Sequence, residues 1–162
     1  MHYVSVMQVL VLLALANGSP VVATRIFGTA FSTPLDGNAK FLDGRPVFGP
    51  SKTVRGIIVS LPVTALAAPL LGLPLRIGLL IGATAMAGDL FSSFVKRRLA
   101  LPPSSRATGL DQIPESLFPL IACRSALSLS AMDIAAGCAV FFVGELLLSK
   151  LFFRLRLRDR PY

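Results

Sequence analysis

The sequence predicts an all-α, polytopic membrane bundle of five transmembrane helices with two long cytoplasmic loops, and three observations predict it. The 162 residues are 54% hydrophobic with a mean hydropathy of +0.72, too apolar for an ordinary soluble domain and too few for more than one membrane bundle, so residues 1–162 read as a single integral membrane domain. Five apolar stretches (3–22, or on to 27; 54–73; 75–95; 113–131; 134–153) each approach the ~20 residues that a helix needs to cross ~30 Å of hydrocarbon. The basic residues then alternate by side. Arg25, Lys40, Arg45, Lys52 and Arg55 follow the first stretch, Lys96, Arg97, Arg98 and Arg106 follow the third, and Lys150, Arg154, Arg156, Arg158 and Arg160 form the tail. With Arg124, inside the fourth span, left out, the other three flanks hold only Arg76. The positive-inside rule therefore puts loops 28–53 and 96–112 and the C-terminus in the cytoplasm, with the N-terminus outside a multi-pass cell-membrane protein.

The first span imitates a signal peptide at Ala14-Leu15-Ala16. No Lys or Arg precedes it, however, and the apolar run continues past Pro20, so a retained span is expected.

The loop that follows, Pro34-Leu35-Asp36-Gly37-Asn38-Ala39-Lys40 through Asp43-Gly44-Arg45-Pro46, Gly49-Pro50-Ser51-Lys52-Thr53 and Arg55-Gly56, is shaped rather than disordered. Glycines 37, 44 and 49 allow tight turns, and Pro46 and Pro50 stiffen the path. Gly44 to Thr53 is no P-loop: two extra residues separate the second glycine from the lysine, and no strand precedes it. Ser51 is expected to cap the second helix, whose free amides could hold phosphate with Lys52 and Arg55 beside them. The plainer reading is that both cations anchor the helix at lipid headgroups.

The third span carries the sharpest signal. At ~100° per residue Asp89, Ser93, Lys96 and Arg97 share one stripe, with the carboxylate about 10 Å below Lys96. A carboxylate at mid-bilayer costs roughly 2.5 to 3.5 kcal/mol on insertion scales, so Asp89 is expected to have a task or an arginine partner. Gly78, Gly82, Ala83, Ala85 and Ala87 of the same span would either line a lateral groove for lipid or let helices pack closely. The fourth helix opens at Asp111, an expected N-cap, with Pro114 in its first turn and Glu115 four residues on; the acids would project at the membrane boundary or merely complement the helix dipole. Arg124 and Glu145 are expected to form a structural ion pair, and Cys123 and Cys138 to be small hydrophobes without metal-ligand spacing.

Asp89 and Asp111 with Lys52, Arg55, Lys96 and Arg97 would thus meet at the cytoplasmic rim. Mg²⁺ takes few carboxylates and completes its octahedron with water and phosphates, while Arg and Lys clamp the remaining oxygens, so the set suits a nucleotide or polyphosphate. The net charge of +8 points to anionic partners such as lipid headgroups or phosphates, and no nucleic-acid-binding motif appears.

Gly88-Asp89-Leu90, Ser93, Lys96-Arg97 and Leu110-Asp111 resemble the signature of membrane CTP:lipid-phosphate cytidylyltransferases. The loop from Pro34 to Gly56, with Lys96-Arg97-Arg98 and Leu110-Asp111-Gln112, is more closely similar to the archaeal CDP-archaeol synthase branch. The likeness covers both cytoplasmic loops and helices two to four. Two positions depart from it: Pro114 stands where the family carries a second Asp, with Glu115 next, and Val54 stands where an aromatic is usual. The resemblance implies Mg²⁺-dependent transfer of CMP from CTP to an isoprenoid ether-lipid phosphate, the unsaturated archaetidic acid, giving CDP-archaeol and pyrophosphate. It implies Asp89, Lys96 and Asp111 as catalytic residues, Asp89 and Asp111 with Glu115 as metal ligands, and Asn38, Lys40, Ser51, Lys52, Arg55, Ser93 and Arg97 as substrate-binding residues. Two rival readings stay open: a phosphatidate cytidylyltransferase, and a small anion transporter or channel lined by Asp89, Arg124 and Glu145.

Overall fold

Five helices alternate in direction. In the computed structural model, which describes residues 2–103, 105 and 107–154 with side chains as far as Leu147, they are α1 (Tyr3–Phe27), α2 (Val54–Ala67), α3 (Leu75–Arg98), α4 (Gln112–Ala122) and α5 (Ala131–Arg154). Arg106, Arg156, Arg158 and Arg160, counted in the charge pattern, lie outside the described residues. The described residues contain no strand, only isolated bridges in the first loop.

Among the described residues, three helices are long and apolar enough to cross a membrane: α1, α2 together with the 3-10 turn Pro69–Leu71 that prolongs it, and α3. The expected fourth span is shorter than the sequence suggested. Helix α4 has 11 residues, about 17 Å against ~30 Å of hydrocarbon. It begins deep in the bundle, because Gly88, well inside α3, packs against the backbone of Pro114 and Glu115. After Ala122 the chain leaves helical geometry and runs in turns to Ser128, whose φ is +54°. Apolar composition marked the segment as buried; it did not fix it as one continuous helix.

Helix α3 is the axis of the fold, packed against α1, α2 and α4. Lipid tails are as apolar as leucine, so helices gain little by hiding apolar surface from them and associate instead through close contact. A Cβ on Gly78 would run into the Thr64 carbonyl and Ala68, and one on Gly82 would meet the Thr64 hydroxyl. Close packing is therefore what these glycines serve; Ala85 is also buried, while Ala83 and Ala87 are exposed.

Helix α1 keeps its course through Pro20, which extends the helix to Phe27, five residues beyond the shorter expectation. Proline has no N–H, so the carbonyl four residues earlier loses its helical donor. That carbonyl is Ala16's, and the buried hydroxyl of Ser60 on α2 donates to it at 3.0 Å.

At the end away from the long loops, Asp133 ties α5 to α1. Its Oδ1 accepts from the His2 backbone N–H at 2.9 Å, and its Oδ2 accepts from the Ser130 N–H and hydroxyl at 3.0 and 2.7 Å. The Asp133 N–H returns a bond to Ser130 Oγ, a reciprocal capping arrangement.

A candidate active site at the loop end of the bundle

The first loop is folded around one carboxylate. Asp36 Oδ2 accepts from the N–H groups of Phe48 and Gly49 at 2.8 and 2.9 Å, and its Oδ1 from that of Asn38 at 3.1 Å. Burial alone would raise its pKa; these donors outweigh that effect and hold it below the ordinary carboxylate value of 3.8. Between Asn38 and Val47 the chain makes a small hairpin, closed by the Phe41 N–H to the Arg45 carbonyl and turned at Gly44, whose φ of +74° favours glycine.

Arg98 docks this hairpin on α3. Its guanidinium lies over the edge-to-face pair of Phe41 and Phe94, 4.7 and 4.9 Å from their centroids, and it donates to Asp43 at 2.7 Å and to the Pro46 carbonyl. The sequence placed Arg98 only in a basic cluster; its role depends on partners more than fifty residues away.

The docked loop delivers Lys52 to Asp89. The ammonium donates to both carboxylate oxygens, at 2.6 Å to Oδ1. About two turns on, Lys96 meets Asp111 at 2.6 Å and donates to the Ser105 carbonyl. Asp111 Oδ2 accepts from the Ala107 N–H, so this residue orders the loop before α4 and does not cap the helix with its side chain. Thr53, not Ser51, caps α2, accepting from the Gly56 N–H at 3.3 Å.

These groups face one cavity of about 820 Å³ bounded by α1, α2, α3, α4, α5 and both loops. Ser51, Lys52, Arg55, Asp89, Ser93, Lys96, Arg97, Asp111 and Glu115 all line it, so the sequence-derived set converges with two exceptions. Asn38 and Lys40 are exposed on the hairpin and do not line the cavity. Arg55 lines it but is committed elsewhere: its guanidinium donates to the carbonyls of Gly28 and Ala30 and to Thr24 Oγ1, riveting the start of α2 to the end of α1. It is therefore a positioning residue, not a free phosphate ligand. Glu145 also lines the cavity, whereas Arg124 is exposed on the turns after α4. Glu145 lies about 21 Å along α5 from the end these turns reach, beyond any arginine's span, so the pairing expected for the two is replaced by separate locations. Cys123 and Cys138 are free thiols packed with the core, as expected.

Arg97 is the group with unspent capacity. It is 4% exposed; Nη2 donates to the Pro102 carbonyl at 2.8 Å, while Nε and Nη1 make no hydrogen bond among the described residues. Gly49 lies beside this guanidinium, where an added Cβ would come 3.7 Å from Nη1. Buried donors without acceptors cost on the order of 1–3 kcal/mol each, a cost that an anionic ligand with several oxygens removes.

The donor set also suits a hard cation. Among the described residues no three His, Cys, Asp or Glu side chains gather to hold a metal by themselves. Magnesium asks for less: one or two carboxylates, with waters and substrate phosphates completing its shell. Asp89 of α3 and Asp111, in the turn that leads into α4, face one cavity and meet that requirement.

Asn17 of α1 lines the cavity as well, with both amide heteroatoms buried and unpartnered. A polar amide inside an apolar span was the signal available for it in the sequence.

The fold and site together define a class: an all-helical membrane protein with a charged cavity sunk into its bundle. The comparisons sharpen this. A solved structure of an intramembrane enzyme for archaeal membrane lipids biosynthesis matches with a TM-score of 0.70 and 25% identity, over 85% of this chain and 90% of that one. Proteins named CDP-archaeol synthase match from Pyrobaculum calidifontis (34% identity, 91% of this chain and 90% of the relative) and Sulfurisphaera tokodaii (32%, 80% and 82%). Another from Pyrococcus furiosus is 40% identical over 60% of each chain, so this match spans three-fifths of that relative. The model of the family "CarS-like: CDP-archaeol synthase" matches residues 3–162, and the chain belongs to that family. It is an enzyme, and the transporter reading falls with that membership and with the remote position of Arg124.

Proposed function

We propose that the chain transfers CMP from CTP to unsaturated archaetidic acid, 2,3-di-O-geranylgeranyl glycerol 1-phosphate, releasing pyrophosphate and forming CDP-archaeol. The observation that carries this reading is Arg97, a buried guanidinium with two unspent nitrogens beside two Lys–Asp pairs in a cavity at membrane depth. The charge pattern assigns the cavity's loop end to the cytoplasm, where CTP is available.

In the reaction, a phosphate oxygen of the lipid attacks the α-phosphorus of CTP. The new P–O bond forms as the bond from the α-phosphorus to the oxygen bridging to the β-phosphorus breaks, and that oxygen leaves with the pyrophosphate. The attacking oxygen is already an anion, so no strong base is required and catalysis reduces to positioning and charge neutralisation. His2, the sole histidine, sits at the opposite end of the bundle, bound through its backbone to Asp133.

Arg97 grips the triphosphate through its two spare nitrogens, and Lys96 adds a point charge beside it. Lys52 meets the lipid phosphate or the departing pyrophosphate, and the hydroxyls of Ser51 and Ser93 border the same space. Asp89 and Asp111 would hold Mg²⁺, with Glu115 behind them; the ion supplies Lewis-acid neutralisation of the phosphate oxygens. Each aspartate meets a lysine in the protein alone. Filling the site thus exchanges partners, carboxylate to cation and ammonium to phosphate, without leaving a buried charge uncompensated.

The test is direct: purified protein in detergent receives CTP labelled at the α-phosphate, Mg²⁺, and either the archaeal ether-lipid phosphate or phosphatidic acid. Labelled CDP-lipid with the ether lipid is the expected result, and its loss on chelation establishes the metal. Product with phosphatidic acid alone changes the lipid; product with neither overturns the reaction.

A further inference from the structure

Asn17 is a half-buried amide on α1. It sits ten residues, about 15 Å, from the helix's loop end, within hydrocarbon depth, where a polar side chain is retained for a partner or a task. Both Oδ1 and Nδ2 are buried without a hydrogen bond among the described residues, and the side chain lines the cavity. The buried Ser60 hydroxyl of α2 is given to the Ala16 carbonyl, one residue before Asn17.

The cavity wall is mixed: Lys52, Lys96 and Arg97 supply cations, Asp89, Glu115 and Glu145 carboxylates, and Val21, Ile57, Met86 and Leu146 apolar surface. A ligand that satisfies both the cations and the apolar surface is a polyanion carrying a flat, weakly polar group whose edge sets a donor beside an acceptor, the complement of a primary amide. The lipid phosphate fails this condition, since its phosphate and ether oxygens are acceptors and would leave Oδ1 without a donor. A pyrimidine nucleoside triphosphate meets it.

We propose that Asn17 reads the base of the nucleotide: Nδ2 donates to cytosine N3, and Oδ1 accepts from the 4-amino group. The proposal rests on the nucleotidyl-transfer reading above. It gives base recognition to the first helix.

The experiment uses the full chain in detergent, as wild type, Asn17→Ala, Asn17→Leu and Asn17→Asp, with CTP and inorganic tripolyphosphate as calorimetric probes. Wild type should bind CTP roughly tenfold or more tighter than tripolyphosphate. The variants should keep wild-type affinity for tripolyphosphate, which reports an intact site, and lose most of the CTP advantage. In turnover, KM for CTP should rise roughly ten- to a hundredfold, with KM for the lipid phosphate unchanged. Equal affinity of wild type for the two probes overturns the proposal, and needs no variant to fold. So does a retained CTP advantage in any variant that still binds tripolyphosphate, or a rise confined to the lipid KM. A wild type that prefers CTP through Asn17 yet makes no CDP-lipid would sink the reaction and spare the base contact.

Discussion

Asp89 and Asp133 are both aspartates in helices of the same bundle, and they are satisfied in opposite ways. Asp133, at the far end, takes its hydrogen bonds from the His2 backbone and from Ser130, groups fixed by the fold. Asp89, at the loop end, takes its bonds from Lys52, whose ammonium sits on four rotatable carbons in a cavity wall. A carboxylate held by backbone cannot change partners without unfolding a helix start; one held by lysine can. The same side chain is architecture in one place and, in the proposed reaction, reagent in the other.

The strongest way to break this contrast is to neutralise each acid in turn. Asp89→Asn should lower turnover by roughly 10²- to 10³-fold while the protein still folds and inserts. Asp133→Asn should leave turnover within a few-fold; equal losses in the two variants, measured as kcat on purified protein, would erase the distinction. Asp133→Ala should instead cost stability, on the order of 1–3 kcal/mol, because the His2 and Ser130 donors are left without an acceptor. A thermal melt in detergent reads this as a lower Tm.

Arg97→Lys sharpens the comparison at the cation side. An ammonium keeps the charge and loses the planar fork, so KM for CTP should rise by about tenfold with a smaller change in kcat. Unchanged KM would mean that charge alone serves there.

The smallest expected effect concerns Asp36, which resembles Asp133 in accepting from backbone yet lies on the reactive side. Its pKa in the folded loop is below the ordinary 3.8. Its contribution to loop order is therefore complete above that value and disappears as pH falls through the depressed one. Hydrogen exchange at Phe48 and Gly49 should accelerate below about pH 4 in the wild type, and should be fast and free of this acid step in Asp36→Asn.

Much of the site was legible because helical periodicity is a geometric constant: Asp89, Ser93, Lys96 and Arg97 share a stripe in any straight helix, and the structure keeps them on one cavity. The loops were recognisable by their glycines and prolines. What could not be read were the partners chosen across the fold. That Lys52 meets Asp89, that Arg55 spends itself on the carbonyls just past α1, and that Arg98 fastens a hairpin all depend on residues dozens of positions away. The short α4 was hidden for another reason. Hydropathy records burial, and the turns after Ala122 are apolar enough to pass for helix. The Ser130-x-x-Asp133 cap was there to be seen as a start signal.

Gly88 puts the backbone of α3 directly against that of Pro114 and Glu115, with no room for a methyl group. The spacing between the two acid-bearing helices is thus set by main chain on main chain, a ruler that side-chain exchange cannot lengthen or shorten. Anyone moving this chemistry to another scaffold would have to carry the crossing of these two helices as a unit. Grafted loops would bring Lys52 and Asp111 without the fixed crossing of α3 and α4 on which Asp89, Lys96, Arg97 and Glu115 are mounted.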